Sequence, residues 1–96
     1  MPEKAALLTL DEAERLAIGA LAFLAGRPEA LSRFLALNGI GPATLRSAAA
    51  DPGFLAGVLD HFMSSETLLI EYAEDANIPP ARIGSARRAL GGNREE

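Results

Sequence analysis

Few side chains in this sequence could do chemistry, and their spacing groups them poorly. His61 is the single histidine, it follows Asp60, and the chain has no cysteine. A metal site at His61 would need carboxylates such as Asp60 to complete it, at spacings that differ from those of zinc-binding motifs. We interpret His61 as a helix-surface histidine and predict neither a bound metal nor a cofactor.

The acidic and hydroxyl side chains also lack a catalytic arrangement. Glu71, Glu74 and Asp75 have i, i+3, i+4 spacing, which places them on one face of a helix. Such a group is more often a solvated helix face than a pair for general acid–base catalysis. No serine lies in a Gly-x-Ser-x-Gly turn. We therefore expect no enzymatic activity.

Charge is distributed unevenly along the chain, whose net charge is −4. The segment from Asp51 to Ile78 contains acidic residues but no lysine or arginine, and an arginine-rich segment from Arg82 to Arg94 follows it. We expect these charges to face each other across the fifth and sixth helices; the alternative is a basic patch for an acidic partner. The net charge argues against broad nucleic-acid affinity, which needs several phosphate contacts.

Two proline-led turns divide the chain in a similar way. Gly39-Ile40-Gly41-Pro42 and Asn77-Ile78-Pro79-Pro80 align when one is shifted by thirty-eight positions. Gly39 and Asn77 can adopt the left-handed conformation that ends a helix, and the prolines suit the first turn of the next helix. The isoleucine in each turn, Ile40 or Ile78, should pack between the helix before the turn and the helix after it. The alignment indicates either an internal duplication or chance similarity between helices rich in Ala and Leu.

No part of the sequence alternates with the period of a strand, and caps, prolines and glycines divide it into six short helices. Thr9 to Glu12 has the pattern of a capping box. The third helix should run from Pro42 to Ala50, and the sixth from Pro80 to Leu90. The predicted fold is all-α, a compact bundle of about five to six short helices arranged as helical hairpins, with the first helix at its centre. The residues predicted to face inward are Leu10, Ala13, Leu16, Ala17, Ala20, Leu21, Phe23, Leu24, Leu31, Phe34, Leu35, Leu45, Ala48, Ala49, Phe54, Leu55, Val58, Leu59, Phe62, Leu68, Leu69, Tyr72, Ala73, Ala76, Ile83, Ala86 and Leu90.

One helical domain is expected over residues 9–91, between an N-terminal arm at 1–8 and a frayed C-terminal tail at 92–96. The longest uninterrupted apolar run, Leu16 to Ala25, has ten residues. A membrane-spanning helix needs about 20. The N-terminal sequence Met-Pro-Glu-Lys does not have the pattern of a secretory signal. We expect a cytoplasmic protein with no membrane partner.

The stretch Leu37-Asn38-Gly39-Ile40-Gly41-Pro42-Ala43-Thr44 resembles the hairpin of helix-hairpin-helix DNA-binding proteins. In that family a Gly-hydrophobic-Gly turn presents backbone N–H groups to a phosphate at a helix N-terminus, where the dipole favours an anion. The resemblance implies Gly39 and Gly41 as phosphate contacts, with Arg46 nearby. It is short, and it departs from the family pattern at Asn38 and Leu45.

A longer resemblance extends from about Glu12 to Leu90. It is carried by Ala-Ile-Gly-Ala-Leu-Ala-Phe-Leu-Ala, Arg-Phe-Leu-Ala-Leu, Leu-Arg-Ser-Ala-Ala-Ala-Asp-Pro-Gly-Phe-Leu-Ala-Gly-Val-Leu-Asp and Ile-Pro-Pro. In these segments the chain is similar to a family of short bacterial proteins known only as a domain of unknown function. The resemblance implies a helical domain of the bacterial cytoplasm, and it implies no activity, ligand or functional residue.

Together these features favour a non-catalytic protein-binding or adaptor module. Ile18 and Ile70 fall outside the inner stripes of their helices and Met63 lies at the margin of its stripe; the three would form an interaction patch if they cluster. The partner would then be another protein, or a second copy of this chain in a homodimer. The alternative function is binding of nucleic-acid phosphates through the turn from Gly39 to Gly41.

Overall fold

The computed structural model describes residues 8–91, and this part of the chain forms six α-helices and no strand. The predicted all-α bundle is therefore confirmed. The helices are α1 (Leu10–Ala25), α2 (Pro28–Asn38), α3 (Pro42–Ala48), α4 (Pro52–Met63), α5 (Glu66–Ala76) and α6 (Ala81–Leu90). Except for Leu8, the predicted arm and tail lie outside the described residues. No described helix is both long enough and apolar enough to cross a membrane.

Side-chain caps set the beginnings of three helices. The Thr9 hydroxyl accepts from the N–H of Glu12 at 3.0 Å, and the Glu12 carboxylate accepts from the N–H of Thr9 at 3.0 Å. This is the predicted capping box. Asp51 accepts from the N–H of Gly53 at 3.1 Å at the start of α4, and Ser65 has the same role for α5.

The boundaries of α3 and α6 differ slightly from those predicted. α3 ends at Ala48, two residues before the predicted end, because Ala49 and Ala50 already belong to the turn that leads to the Asp51 cap. α6 begins at Ala81 because Pro80 is its N-cap residue rather than its first helical residue.

Helices α1, α4 and α6 pack against one another and form the centre of the bundle, while α2 packs on α1 and α5 packs on α4. The prediction that α1 is central is right, but α4 and α6 share that position. Small side chains permit this close packing: Ala13, Ala17 and Ala20 of α1 are completely buried, as is Ala86 of α6. The larger side chains that are completely buried are Phe34, Phe62, Leu24, Leu59, Ile83 and Val58.

Two residues predicted to face inward do not. Leu10 is 52% exposed, and Ala76 is also exposed. Leu10 is the first residue of α1 and Ala76 is the last residue of α5. Both have the correct helical phase, and their exposure follows from their positions at helix ends.

The two proline-led turns end the preceding helix in the same way. Gly39 has φ 67° and ψ 28°, and Asn77 has φ 59° and ψ 47°, so both residues are in the left-handed region. The next N–H donates back into the preceding helix in each turn, from Ile40 to the Leu35 carbonyl at 3.2 Å and from Ile78 to the Ala73 carbonyl at 2.9 Å. These bonds satisfy carbonyls that a helix end leaves free. The predicted roles of Gly39 and Asn77 are confirmed.

The helices that follow the two turns pack very differently. α3 buries no residue, whereas α6 buries Ile83 and Ala86 between α1 and α4. Arg87 pairs with an acid of the segment from Asp51 to Ile78, as predicted, but that acid is Asp60 of α4 rather than an acid of α5, and its Oδ1 lies 2.7 Å from the arginine Nε. Arg87 faces α4 because the apolar residues of the same helix, Ile83 and Ala86, are buried between α1 and α4.

Substitutions at the two turns should have different effects on stability. Gly39→Ala should lower the free energy of unfolding by about 1–2 kcal/mol, because an alanine resists the left-handed conformation. Apart from its two chain neighbours, a Cβ at this position would meet no atom within 4 Å, so only the local backbone conformation contributes to the cost. Asn77→Gly should leave stability unchanged or raise it, since it removes the only side chain with positive φ among the described residues. Urea denaturation of both variants tests this, and equal destabilisation would contradict it.

Candidate functional site

A surface concavity lies between α2 and α5, which pack on different neighbours and leave a space between them. We call it the α2–α5 groove. Its volume is about 870 Å³. The turn between α4 and α5 and the last residues of α4 contribute to the same surface. The lining residues are Arg27, Pro28, Glu29, Ala30, Arg33, Leu37, His61, Ser64, Ser65, Thr67, Leu68 and Glu71.

An ion pair joins the two walls of the groove. Nη1 of Arg27, just before α2, lies 3.1 Å from Oε1 of Glu71 in α5. The Arg27 guanidinium also lies 4.4 Å from the centroid of the Phe23 ring, in cation–π geometry. Both charged groups remain partly exposed, so the pair contributes about 0–1 kcal/mol to stability. Its main effect is to fix the position of these two side chains in the groove.

His61 lines the groove and is partly buried, so its interpretation as a helix-surface histidine is incomplete. Its ring packs edge-on against Phe34, with centroids 5.1 Å apart. Burial, and secondarily the nearby positive charge of Arg33, hold the pKa of His61 below its ordinary value. The imidazole is therefore uncharged at neutral pH. The sequence did not indicate this position because α2 and α4 are distant in the chain.

Leu37 is the most exposed large apolar side chain among the described residues, at 71%. It lies on α2, one helical turn beyond Arg33, and it lines the groove. Leu37 was not among the residues predicted to form an interaction patch, although it too is a large apolar residue outside the inner stripe of its helix, like Ile18. With 3.6 residues per turn, Leu37 lies about 110° around the helix from the centre of the inner stripe formed by Leu31, Phe34 and Leu35, so it falls at the edge of that stripe.

The three residues of the predicted interaction patch are exposed but are not brought together by a groove. Ile18, Met63 and Ile70 are 48%, 46% and 38% exposed. Ile18 lies in a second, smaller groove of about 520 Å³ between α1 and α3, whose lining includes neither Met63 nor Ile70. We call this the α1–α3 groove. Its lining residues are Ile18, Leu21, Ala22, Ala25, Pro42, Leu45, Arg46 and Ala49.

The residues of the predicted phosphate site have other interactions in the fold. The Gly39 N–H donates to the Ala36 carbonyl at 3.3 Å, and the Gly41 carbonyl accepts from Thr44 at 3.1 Å. Arg46 lies in the last turn of α3 and lines the α1–α3 groove. Gly39 and Gly41 are close in the turn, but the N–H of Gly39 is already used to end α2. Phosphate binding here stays a prediction.

Metal binding has no support from side-chain geometry in residues 8–91, where no three His, Asp or Glu side chains converge on one point.

The hydroxyl groups of the α2–α5 groove mostly form hydrogen bonds with the backbone. Ser64 Oγ donates to the His61 carbonyl at 2.8 Å, and Ser65 Oγ accepts from the Leu68 N–H at 3.4 Å.

Residues 10–93 match the model of a family described as protein of unknown function (DUF3572). The match covers the whole helical bundle, and it agrees with the resemblance from Glu12 to Leu90 noted in the sequence. Comparisons with curated proteins and with solved structures gave no match.

Proposed function

Because the chain belongs to the DUF3572 family, whose description states no function, we propose a function from the geometry of the domain alone. The domain is a non-catalytic protein-binding module of the cytoplasm, and the α2–α5 groove is its binding surface. The observation that carries this proposal is the exposure of Leu37 at the edge of a groove between two helices.

Burial of Leu37 provides a source of binding free energy. A leucine side chain that passes from full exposure to full burial contributes about 1.5–3 kcal/mol. Leu37 is 71% exposed, so most of this contribution is available to a partner. Leu68 and Ala30, which line the same groove, extend the apolar surface. The walls of the groove are helices of eleven residues each, about 16 Å long. This length suits an interface with a short segment of another protein.

The polar groups of the groove support a non-catalytic role. Arg27 and Glu71 pair with each other, and the hydroxyls of Ser64 and Ser65 interact with the backbone. His61 has aromatic neighbours rather than a carboxylate or hydroxyl partner. A general base acts on a nucleophile or substrate within hydrogen-bond reach and is usually oriented by a third group. The groove lacks this arrangement among residues 8–91.

Selection of peptides from a random library on the immobilised domain tests this function. We expect the recovered peptides to bind the wild type at least about tenfold more tightly than Leu37→Asp, since this variant loses the apolar contact and places a charge in the groove. Ile70→Asp is the matched control, because Ile70 is an exposed apolar residue of α5 that does not line the groove. Affinities are measured by fluorescence anisotropy.

The proposal fails if Leu37→Asp and Ile70→Asp bind the peptides equally well, or if no peptide is recovered. A second copy of the chain is the other candidate occupant of the groove. Sedimentation equilibrium identifies this case, because a homodimer formed through the groove would dissociate in Leu37→Asp and persist in Ile70→Asp.

A further inference from the structure

Two arginines of α6 have no acidic partner in the part of the chain that the structure describes. α6 contains three arginines and neither aspartate nor glutamate, so none of them has an acid one turn away on the same helix. Arg87 pairs with Asp60 of α4, but no carboxylate among residues 8–91 lies within 4.0 Å of Arg82 or Arg88. This helix therefore carries two uncompensated positive charges, on a chain whose net charge is −4.

Ser85 lies between these two arginines. Arg82 precedes it by three residues and Arg88 follows it by three, so each arginine is its neighbour on the helix surface. Nη2 of Arg88 donates to Ser85 Oγ at 3.3 Å. Within residues 8–91 the Ser85 hydroxyl donates to no carbonyl, in contrast to Ser64, whose Oγ donates to the backbone. We call Arg82, Ser85 and Arg88 the α6 cluster.

The stability of α6 does not explain the position of Arg82. This residue lies in the first turn of the helix, where the dipole disfavours a positive charge. The same turn contains no acidic residue, and Pro80, the N-cap residue, offers no side-chain acceptor. An anion held by Arg82 would be stabilised by the guanidinium and by the helix dipole together.

From this arrangement we infer that the α6 cluster binds the phosphate of a phosphomonoester. Such a group has a charge of about −1.5 to −2 at pH 7 and three acceptor oxygens. The cluster offers two guanidinium charges, and the Ser85 hydroxyl is a third donor. Arginine suits this ligand because its planar fork donates two parallel hydrogen bonds to phosphate oxygens. A carboxylate or a phosphodiester, with one negative charge, matches the cluster less well.

Titration of the ¹⁵N-labelled full chain with phenyl phosphate, at about pH 7 and constant ionic strength, tests this inference. We expect saturable shifts of the amide resonances of α6 and of the Nε–H groups of Arg82 and Arg88. Dimethyl phosphate and acetate should bind at least about tenfold more weakly, because each lacks the second charge. A short phosphoserine peptide represents the other source of the same group, and tighter binding of this peptide than of phenyl phosphate would identify a phosphorylated protein as the ligand.

Three variants of the cluster and one control make the result specific. Arg82→Gln and Arg88→Gln should each weaken phenyl phosphate about tenfold, the loss expected for a charge-assisted hydrogen bond, and Ser85→Ala about threefold. Arg46→Gln is the matched control, because Arg46 is an arginine of another helix that also pairs with no carboxylate among residues 8–91. It should bind as the wild type does.

The inference is overturned if the shifts do not saturate, or if acetate and phenyl phosphate bind with equal affinity, since either result indicates only general attraction between charges. Equal binding by Arg82→Gln, Arg88→Gln and the wild type would also overturn it. Shifts centred on the turn from Gly39 to Gly41, with a loss of affinity in Arg46→Gln, would place the phosphate at that turn instead. None of these results bears on the α2–α5 groove, whose lining includes no residue of α6.

Discussion

Replacement of Ile83 by alanine should lower the free energy of unfolding by about 2–5 kcal/mol, the range expected when a fully buried isoleucine leaves a cavity. Ile83 is completely buried in α6, between α1 and α4. A domain of this size is typically stable by about 5–15 kcal/mol, so the variant could be unfolded to a measurable extent. Urea denaturation followed by circular dichroism measures the loss.

Leu45 provides a matched control because it occupies the aligned position in α3, thirty-eight residues earlier. Its side chain is only half-buried, and α3 buries no residue completely. Leu45→Ala should therefore lower the free energy of unfolding by about 1 kcal/mol, less than half of the effect at Ile83. Similar losses of stability at the two positions would show that α3 contributes to the core as much as α6 does. This would contradict the observation that α6 buries residues and α3 does not.

Gly19→Ala should destabilise the wild type by about 1–3 kcal/mol, although alanine is the better helix former. A Cβ on Gly19 would lie 2.6 Å from the hydroxyl oxygen of Tyr72. That hydroxyl donates to the Leu16 carbonyl at 2.9 Å, and the tyrosine ring packs between Phe23 and Phe62. Since the ring cannot move freely, the new methyl group would displace the hydroxyl and break this hydrogen bond.

The same substitution should have the opposite sign in a Tyr72→Phe background. Without the hydroxyl, the nearest atom to the new Cβ is the ring carbon that carried it, at 3.7 Å, which is an ordinary contact distance. Gly19→Ala should then stabilise the protein by about 0.5–1 kcal/mol through its helix propensity. A double-mutant cycle measures the difference. The interpretation fails if Gly19→Ala has the same effect in both backgrounds.

The local features of the fold were predictable because they depend on neighbouring residues in the chain. The capping box at Thr9, the left-handed residues Gly39 and Asn77, and the inward positions from Leu55 to Phe62 all follow from spacing and backbone conformation. The different burial of α3 and α6 was not predictable in this way. Ile83 and Leu45 have similar local sequences, and only the packing of α6 against α1 and α4 distinguishes them.

The candidate site depended on contacts between distant parts of the chain, which spacing does not reveal. Ile18 was correctly predicted to be exposed, as were Met63 and Ile70, but the fold does not gather them into one groove. The α2–α5 groove exists because α2 packs on α1 while α5 packs on α4. Its lining combines Leu37 with His61, which are twenty-four positions apart in the sequence.

The location of the binding surface can be measured directly by titrating the ¹⁵N-labelled domain with a peptide recovered from the library and following its amide resonances. We predict that the largest shifts occur in residues that line the α2–α5 groove, such as Arg33, Leu37 and Leu68, and that saturation is lost in Leu37→Asp. Shifts centred instead on the α1–α3 groove, or on the turn from Gly39 to Gly41, would contradict the assignment of the α2–α5 groove as the site of protein binding.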